Sequence, residues 1–213
     1  MRVTLKLATS LDGKIATAAG ESRWITGPAA REEVHRLRLI HDAVMVGVAT
    51  VIADDPELTV RMAGYVGPQP ARVVLDSRQR IPRQSKLVAT APRLRTVVLT
   101  TVAPSQDLID AEVQVLGVAV RDGWVDPEAA VVALEGIGLK AVLIEGGGQV
   151  AASFLTAGLV DAIEWFRAPI ILGDEGRSAV GAFVLKDLAS APRFRRLSVQ
   201  AVGEDLWERY ERA

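Results

Sequence analysis

The residues best placed to do chemistry lie at 141–161, in AVLIEGGGQVAASFLTAGLVD. A buried strand ends at Glu145, three glycines follow, and a helix begins. Backbone N–H groups left free at a helix start, and reached through residues without a Cβ, form a phosphate site. A tight strand-to-helix turn reads the same way, although three consecutive glycines exceed what a turn requires. The pattern is not G-x-G-x-x-G, and it lacks the Lys-Ser/Thr of a P-loop. Glu145 stands at the carboxyl end of its strand, where open α/β sheets place their ligands. A carboxylate there can accept from a ring amide or hold a proton donor in place. A solvated loop acid is the plainer alternative.

Three further segments carry candidates. Residues 8–27, ATSLDGKIATAAGESRWITG, form a long Gly- and Ser-rich loop directly after the first strand. Such loops carry function more often than core elements do. Trp24 within it suits a core anchor slightly better than a cover for a flat ring. Residues 47–61, GVATVIADDPELTVR, set Asp54, Asp55 and Arg61 around a short helix-like stretch. Paired acids suggest a metal, but no carboxylate or histidine cluster supports one, so no metal site is expected and a capped turn with solvated acids accounts for them. Arg31 and Arg38 lie one heptad apart on a helix face. Helix arginines are usually solvated, yet Arg is also the natural fork for a substrate phosphate.

These residues need a scaffold, and the apolar pattern supplies one. Strands are predicted at Val3–Ala8, Ala43–Val46, Arg72–Asp76, Thr96–Thr100, Glu112–Leu116, Ala141–Ile144 and Ala162–Arg167. Most lack strict alternation, as expected of strands covered on both faces. Helices are predicted at Pro28–Ile40, Thr50–Ala53, Pro104–Asp110, Pro127–Leu134 and Gln149–Ala157. The first has Thr26 or Gly27 as cap, Pro28 in the first turn, Glu32 and Glu33 near its positive end, and Ala30, Val34, Leu37 and His41 on one face. The alternation predicts an α/β fold with a largely parallel central sheet flanked by helices. Phe194–Gln200 and Asp205–Arg209, joined at Gly203, predict an antiparallel C-terminal hairpin. Tyr65–Pro70 reads as a surface loop.

Composition narrows the function classes. The 213 residues carry a net charge of −1, with 49% hydrophobic and 24% charged residues. One domain spanning 1–213 is expected, with no overall attraction to nucleic acid or anionic membrane. There is no cysteine, hence no disulfide, thiolate zinc site or cysteine nucleophile. His35 and His41 are too few and too far apart for a histidine metal site. Lys6, Asp12 and Lys14 interrupt any signal-peptide core, and the longest apolar run is half the ~20 residues of a membrane span. A soluble, cytoplasmic protein is expected.

Together LKLATSLDGKIAT, GESRWITGPAAREEVHRLR, GVATVIADDPELTVR, RVVLDSRQR, VLIEGGGQVAASFLTAGLVD and APIILGDEG resemble the reductase half of the riboflavin-biosynthesis deaminase–reductase family. The resemblance implies a dihydrofolate-reductase-like fold, a homodimer and NADPH as cofactor. It implies hydride transfer to the ribosyl group of a phosphoribosylaminopyrimidine, specifically 5-amino-6-(5-phosphoribosylamino)uracil. By the same resemblance, Ala8, Trp24, Thr50, Asp54, Ser77, Gly147, Gly148, Gln149, Val150 and Ala151 match cofactor positions. Ser22, Arg38, Leu58, Arg61 and Glu145 match substrate positions, and Lys14 matches a substrate-recognition lysine. Lys14 and Glu145 are the candidates for moving protons during ring opening. Arg78 is a candidate for the cofactor 2′-phosphate, since it follows Ser77 past a strand end. The family's zinc deaminase signature needs cysteines that these residues lack. That leaves a deaminase supplied separately, or a different substrate such as a dihydropterin.

Overall fold

The structure is a computed structural model that describes residues 1–213. Its strands are β1 (Arg2–Thr9), β2 (Lys14–Ala16), β3 (Ala43–Gly47), β4 (Ala71–Leu75), β5 (Thr96–Thr100), β6 (Gln114–Gly117), β7 (Val120–Arg121), β8 (Trp124–Val125), β9 (Ala141–Gly146), β10 (Ala162–Arg167), β11 (Arg177–Ser178), β12 (Phe194–Val202) and β13 (Asp205–Arg212). Its helices are α1 (Pro28–Leu39), α2 (Val48–Asp54), α3 (Lys86–Ala89), α4 (Gln106–Asp110), α5 (Pro127–Gly136) and α6 (Gly148–Thr156).

Nine strands form one sheet in the order β12-β13-β10-β1-β9-β3-β4-β5-β6. From β10 to β6 every pairing is parallel. The β12–β13 hairpin adds antiparallel to β10. The fold class read from the sequence therefore holds.

Each central strand splits its side chains between two faces. Val3, Leu5, Leu7, Met45 and Ile144 pack with Leu134 of α5 and Phe154 of α6. On the opposite face Val44, Val46, Val74 and Val98 pack with Val51 of α2, Leu87 of α3 and Leu108 of α4. There too Ala30, Val34 and Leu37 of α1 meet Leu143 and Phe166. Each large side chain so covered contributes about 1.5–3 kcal/mol. Two covered faces explain why the strands read as continuous apolar runs.

Several boundaries differ from the expected ones, each for a local reason. Asp76 leaves β4 because its side chain accepts from the Ile81 N–H. Glu112 turns to φ 60° at the end of α4, so β6 begins later. Gly27 caps α1 without a side-chain bond, and its own N–H donates to Asp205. Glu32 and Glu33 pair with Arg36 instead of serving the helix end. The short elements β2, β7, β8, β11 and α3 were not expected. His41 is half-buried, bonded to the Leu37 carbonyl and to Thr4.

Candidate active site

Adjacent strands β3 and β9 send their chains in opposite directions. After β3 the chain runs through α2 to β4; after β9 it runs through α6 to β10, beyond β1. A crevice opens at the carboxyl ends of such strands. Here it holds two cavities of about 260 Å³ and about 650 Å³, which share Gly147 as a wall.

The glycines at this junction are required by packing. Gly147 has φ 98°, a conformation that side chains resist. A Cβ on Gly146 would stand 2.9 Å from Thr50 Oγ1, and one on Gly148 3.0 Å from the Ser178 carbonyl. Close approach of α2 and of the segment around β11 thus excludes larger residues. The same geometry leaves the N–H groups of Gly148, Gln149 and Val150 without backbone acceptors, since the first bond of α6 is Ala151 N–H to Gly147 O. Gly148, Gln149 and Val150 line the larger cavity, and Ala151 the smaller.

The smaller cavity is lined by Lys6, Ala8, Ser22, Trp24, Arg31, Thr50, Asp54 and Glu145, among others. Its charged centre is a buried ion pair. Arg38 Nε and Nη2 reach the two Glu145 oxygens at 2.6 and 2.8 Å, and Nη1 donates to the Thr59 carbonyl at 2.7 Å. Burial alone would raise Glu145, but Arg38 and then Lys6 outweigh it and hold the carboxyl below its usual range. Lys6 is pushed down, first by burial and further by Arg38, against the pull of Glu145. Its ammonium has no hydrogen-bond partner within the protein.

Lys6 is the residue that sequence reasoning missed. Its signal lay in VTLKLA: Val3, Leu5 and Leu7 share one core face, which puts Lys6 on the other, also under a helix. A lysine inside a strand covered on both faces needs a reason to be there.

Other expected positions are redistributed. Trp24 is 69% exposed at the mouth of the cavity, so it is not a core anchor. Lys14 lies outside both cavities: its ammonium donates to the Asp174 carbonyl and reaches Ser178, fastening β2 to the segment around β11. Leu58 is buried in the core beneath α2 and α3, with φ 56°. Arg61 is exposed, 3.6 Å from Glu57, and lines neither cavity. Arg38 bonds Glu145, which leaves it no phosphate fork. Asp54 faces the cavity, while Asp55 accepts from the Lys86 N–H, so the two acids do not converge on a metal. Ser77 lines the larger cavity, and its hydroxyl accepts from Val125. Arg78 does not reach that cavity; Arg80 and Arg121 do. Arg121 is paired with Asp126 and Glu128, whereas Arg80 has no ion-pair partner.

Fold and site thus define an α/β protein with a two-part ligand cleft at the switch point of a mostly parallel sheet. The chain belongs to the RibD C-terminal domain family, whose model it matches over residues 1–207. It is 36% identical over 211 residues to the riboflavin biosynthesis protein RibD of Actinobacillus pleuropneumoniae, covering 96% of this chain and 55% of that protein. It is equally identical, 36% over 211 residues, to the 2,5-diamino-6-ribosylamino-4(3H)-pyrimidinone 5′-phosphate reductase of Methanothermobacter thermautotrophicus, covering 98% of this chain and 96% of that one. Among solved structures, RibD of Acinetobacter baumannii superposes with a TM-score of 0.85 at 33% identity, over 100% of this chain and 58% of that one. The chain therefore spans about half the length of the RibD proteins it matches, and nearly all of the archaeal reductase.

Proposed function

We propose that the chain is an NADPH-dependent reductase of a phosphoribosylaminopyrimidine. The observation that carries this reading is the pairing of two cavities at Gly147, one equipped for phosphate and one for proton transfer. The near full-length match to an archaeal pyrimidinone phosphate reductase supports the substrate class.

The residues present fit a dinucleotide. The free N–H groups at the start of α6 suit the bridging phosphates, and unpaired Arg80 suits a 2′-phosphate, which is what favours NADPH over NADH. Ala8, Trp24, Thr50 and Asp54 surround the place where a nicotinamide ring would meet substrate. Bound there, the reduced nicotinamide supplies the hydride.

The protein's own part is to open the sugar and hold it. The amine nitrogen forms a C1′=N iminium as the C1′–O4′ bond breaks, and O4′ must take a proton. Lys6 Nζ is the group placed to give it. Glu145, kept ionised by Arg38, holds Lys6 charged and can accept from the amine or the ribose hydroxyls; it is not the proton donor. Hydride addition at C1′ then completes the ribityl group. Ser22 at the cavity wall is a further substrate contact.

We place the protein in the cytoplasm as a homodimer. Its fold contains no helix long and apolar enough to cross a membrane, and Ile170, Ile171, Val184, Leu185 and Leu188 form exposed apolar surface suited to a partner copy. The deciding experiment follows NADPH oxidation at 340 nm with the phosphoribosylaminopyrimidine and with dihydropterins in parallel. Turnover of the pyrimidine is expected; turnover of a dihydropterin alone would overturn the substrate, and NADH used as well as NADPH would overturn the role of Arg80.

A further inference from the structure

We propose that Arg31 is a positioning residue for Trp24, and that this pair sets how tightly the smaller cavity holds a flat heteroaromatic ring. The proposal deepens the NADPH reading given above.

Arg31 lies in the first turns of α1, a helix anchored by buried Ala30, Val34 and Leu37. Its Cζ stands 4.3 Å from the centroid of the Trp24 ring, while Arg23 is at 6.0 Å. Its Nη1 donates to the Thr26 carbonyl at 2.8 Å. One side chain thus grips the loop twice, once through the indole and once through the backbone two residues on. Between Ser22 and Thr26 one other hydrogen bond ties the loop to the rest of the fold, from Arg23 to the Asp54 carbonyl at 3.5 Å. Arg31 has no ion-pair partner, so its charge is free to act on the indole face. Both residues line the cavity. An indole left 69% exposed gains little from burial, so its fixed orientation must come from such a contact. A ring held in place before the ligand arrives spares the ordering cost of binding.

The test compares wild type with Arg31→Met, Arg31→Lys, Trp24→Phe and the double variant Arg31→Met/Trp24→Phe. Arg31→Met is expected to raise the NADPH Kd and KM about tenfold, with kcat and the pyrimidine KM within about twofold of wild type. Arg31→Lys, which keeps the charge without the plane, should recover part of that loss. In the Trp24→Phe background the same change should add less than twofold, because the partner is gone. A full tenfold effect in that background would mean that Arg31 touches the ligand itself, and no effect in either background would remove it from the site; each overturns the proposal. Acrylamide quenching of Trp24 emission, taken as wild type minus Trp24→Phe, needs no ligand. It should increase when Arg31 becomes Met, and an unchanged value overturns the clamp even if the protein uses no NADPH. Wild type that oxidises no NADPH but shows the quenching change would instead sink the cofactor reading and keep the clamp.

Discussion

Lys6 and Glu145 are both lowered from their ordinary values, with opposite consequences for charge. Lys6, lowered by burial, is the proton donor proposed above, so activity should fall on the alkaline side as pH rises through its folded value, below the usual 10.5. Lys6→Met should lower kcat by about 10²–10⁴-fold and remove that limb; a retained limb would assign it elsewhere. Glu145 is depressed against its burial by Arg38. Its stabilising contribution is therefore complete above the unfolded carboxylate value and is lost as pH falls through the lower folded one. Glu145→Gln leaves Arg38 buried without its countercharge and should cost about 3 kcal/mol in a denaturant melt, besides reducing turnover. Glu145 and the glycines stood out from the strand-to-helix junction they occupy, whereas Ser22 and Asp54 entered through the family resemblance; all of them line the cleft. Arg61, Leu58 and Lys14 entered the same way and do not line it, since where a side chain points depends on partners far away: Lys14 finds Asp174, 160 residues on.

Longer elements were the readable ones. α1 announced itself through Pro28 and the spacing of Ala30, Val34 and Leu37, and the parallel strands through runs such as Ala141–Ile144. Two- to four-residue pieces such as β7, β8 and β11 have no periodicity to read, because pairing alone creates them. Yet β11 matters to the site. Beyond it the Gly181 N–H donates to the Gly148 carbonyl at 2.7 Å, and a Cβ on Gly181 would lie 3.0 Å from that oxygen. Gly181→Ala should push this segment off α6 and weaken binding of the proposed NADPH several-fold, with melting temperature lowered by only a few degrees; unchanged affinity would mean that the segment moves independently of the proposed cofactor site. In the turn between β1 and β2, Asp12 accepts from the Ser10 hydroxyl and from the N–H groups of Leu172 and Gly173, which lead into the same segment, and is lowered to about 2. That tie persists above about pH 4 and should loosen between pH 4 and 2, visible as faster amide exchange at Leu172 and Gly173 in acid.

At the scale of the whole molecule, the sheet runs from one end of the chain to the other, so one cooperative unfolding transition is expected. The hairpin β12–β13 covers the β10 edge, and its removal should leave an unpaired apolar edge and an aggregating protein. Arg72 is only 1% exposed and is bonded only to neutral oxygens of Thr90, Leu87, Leu94 and Thr96, with its pKa pushed down to about 10 by burial. Nothing in RVVLD foretold a fully buried arginine. The fold class was legible because repeated strand–helix alternation admits few arrangements; the strand order was not, because nothing local tells β9 to insert between β1 and β3. That insertion has a consequence for how the protein is made. β1 is synthesised well before its sheet neighbours, Ala141–Gly146 and Ala162–Arg167. At about 5–20 residues per second, β1 waits roughly 7–30 s for either partner. During that interval Lys6 has no Glu145, the cleft has no floor, and half of the apolar sheet is open to whatever chaperone or neighbouring chain reaches it first.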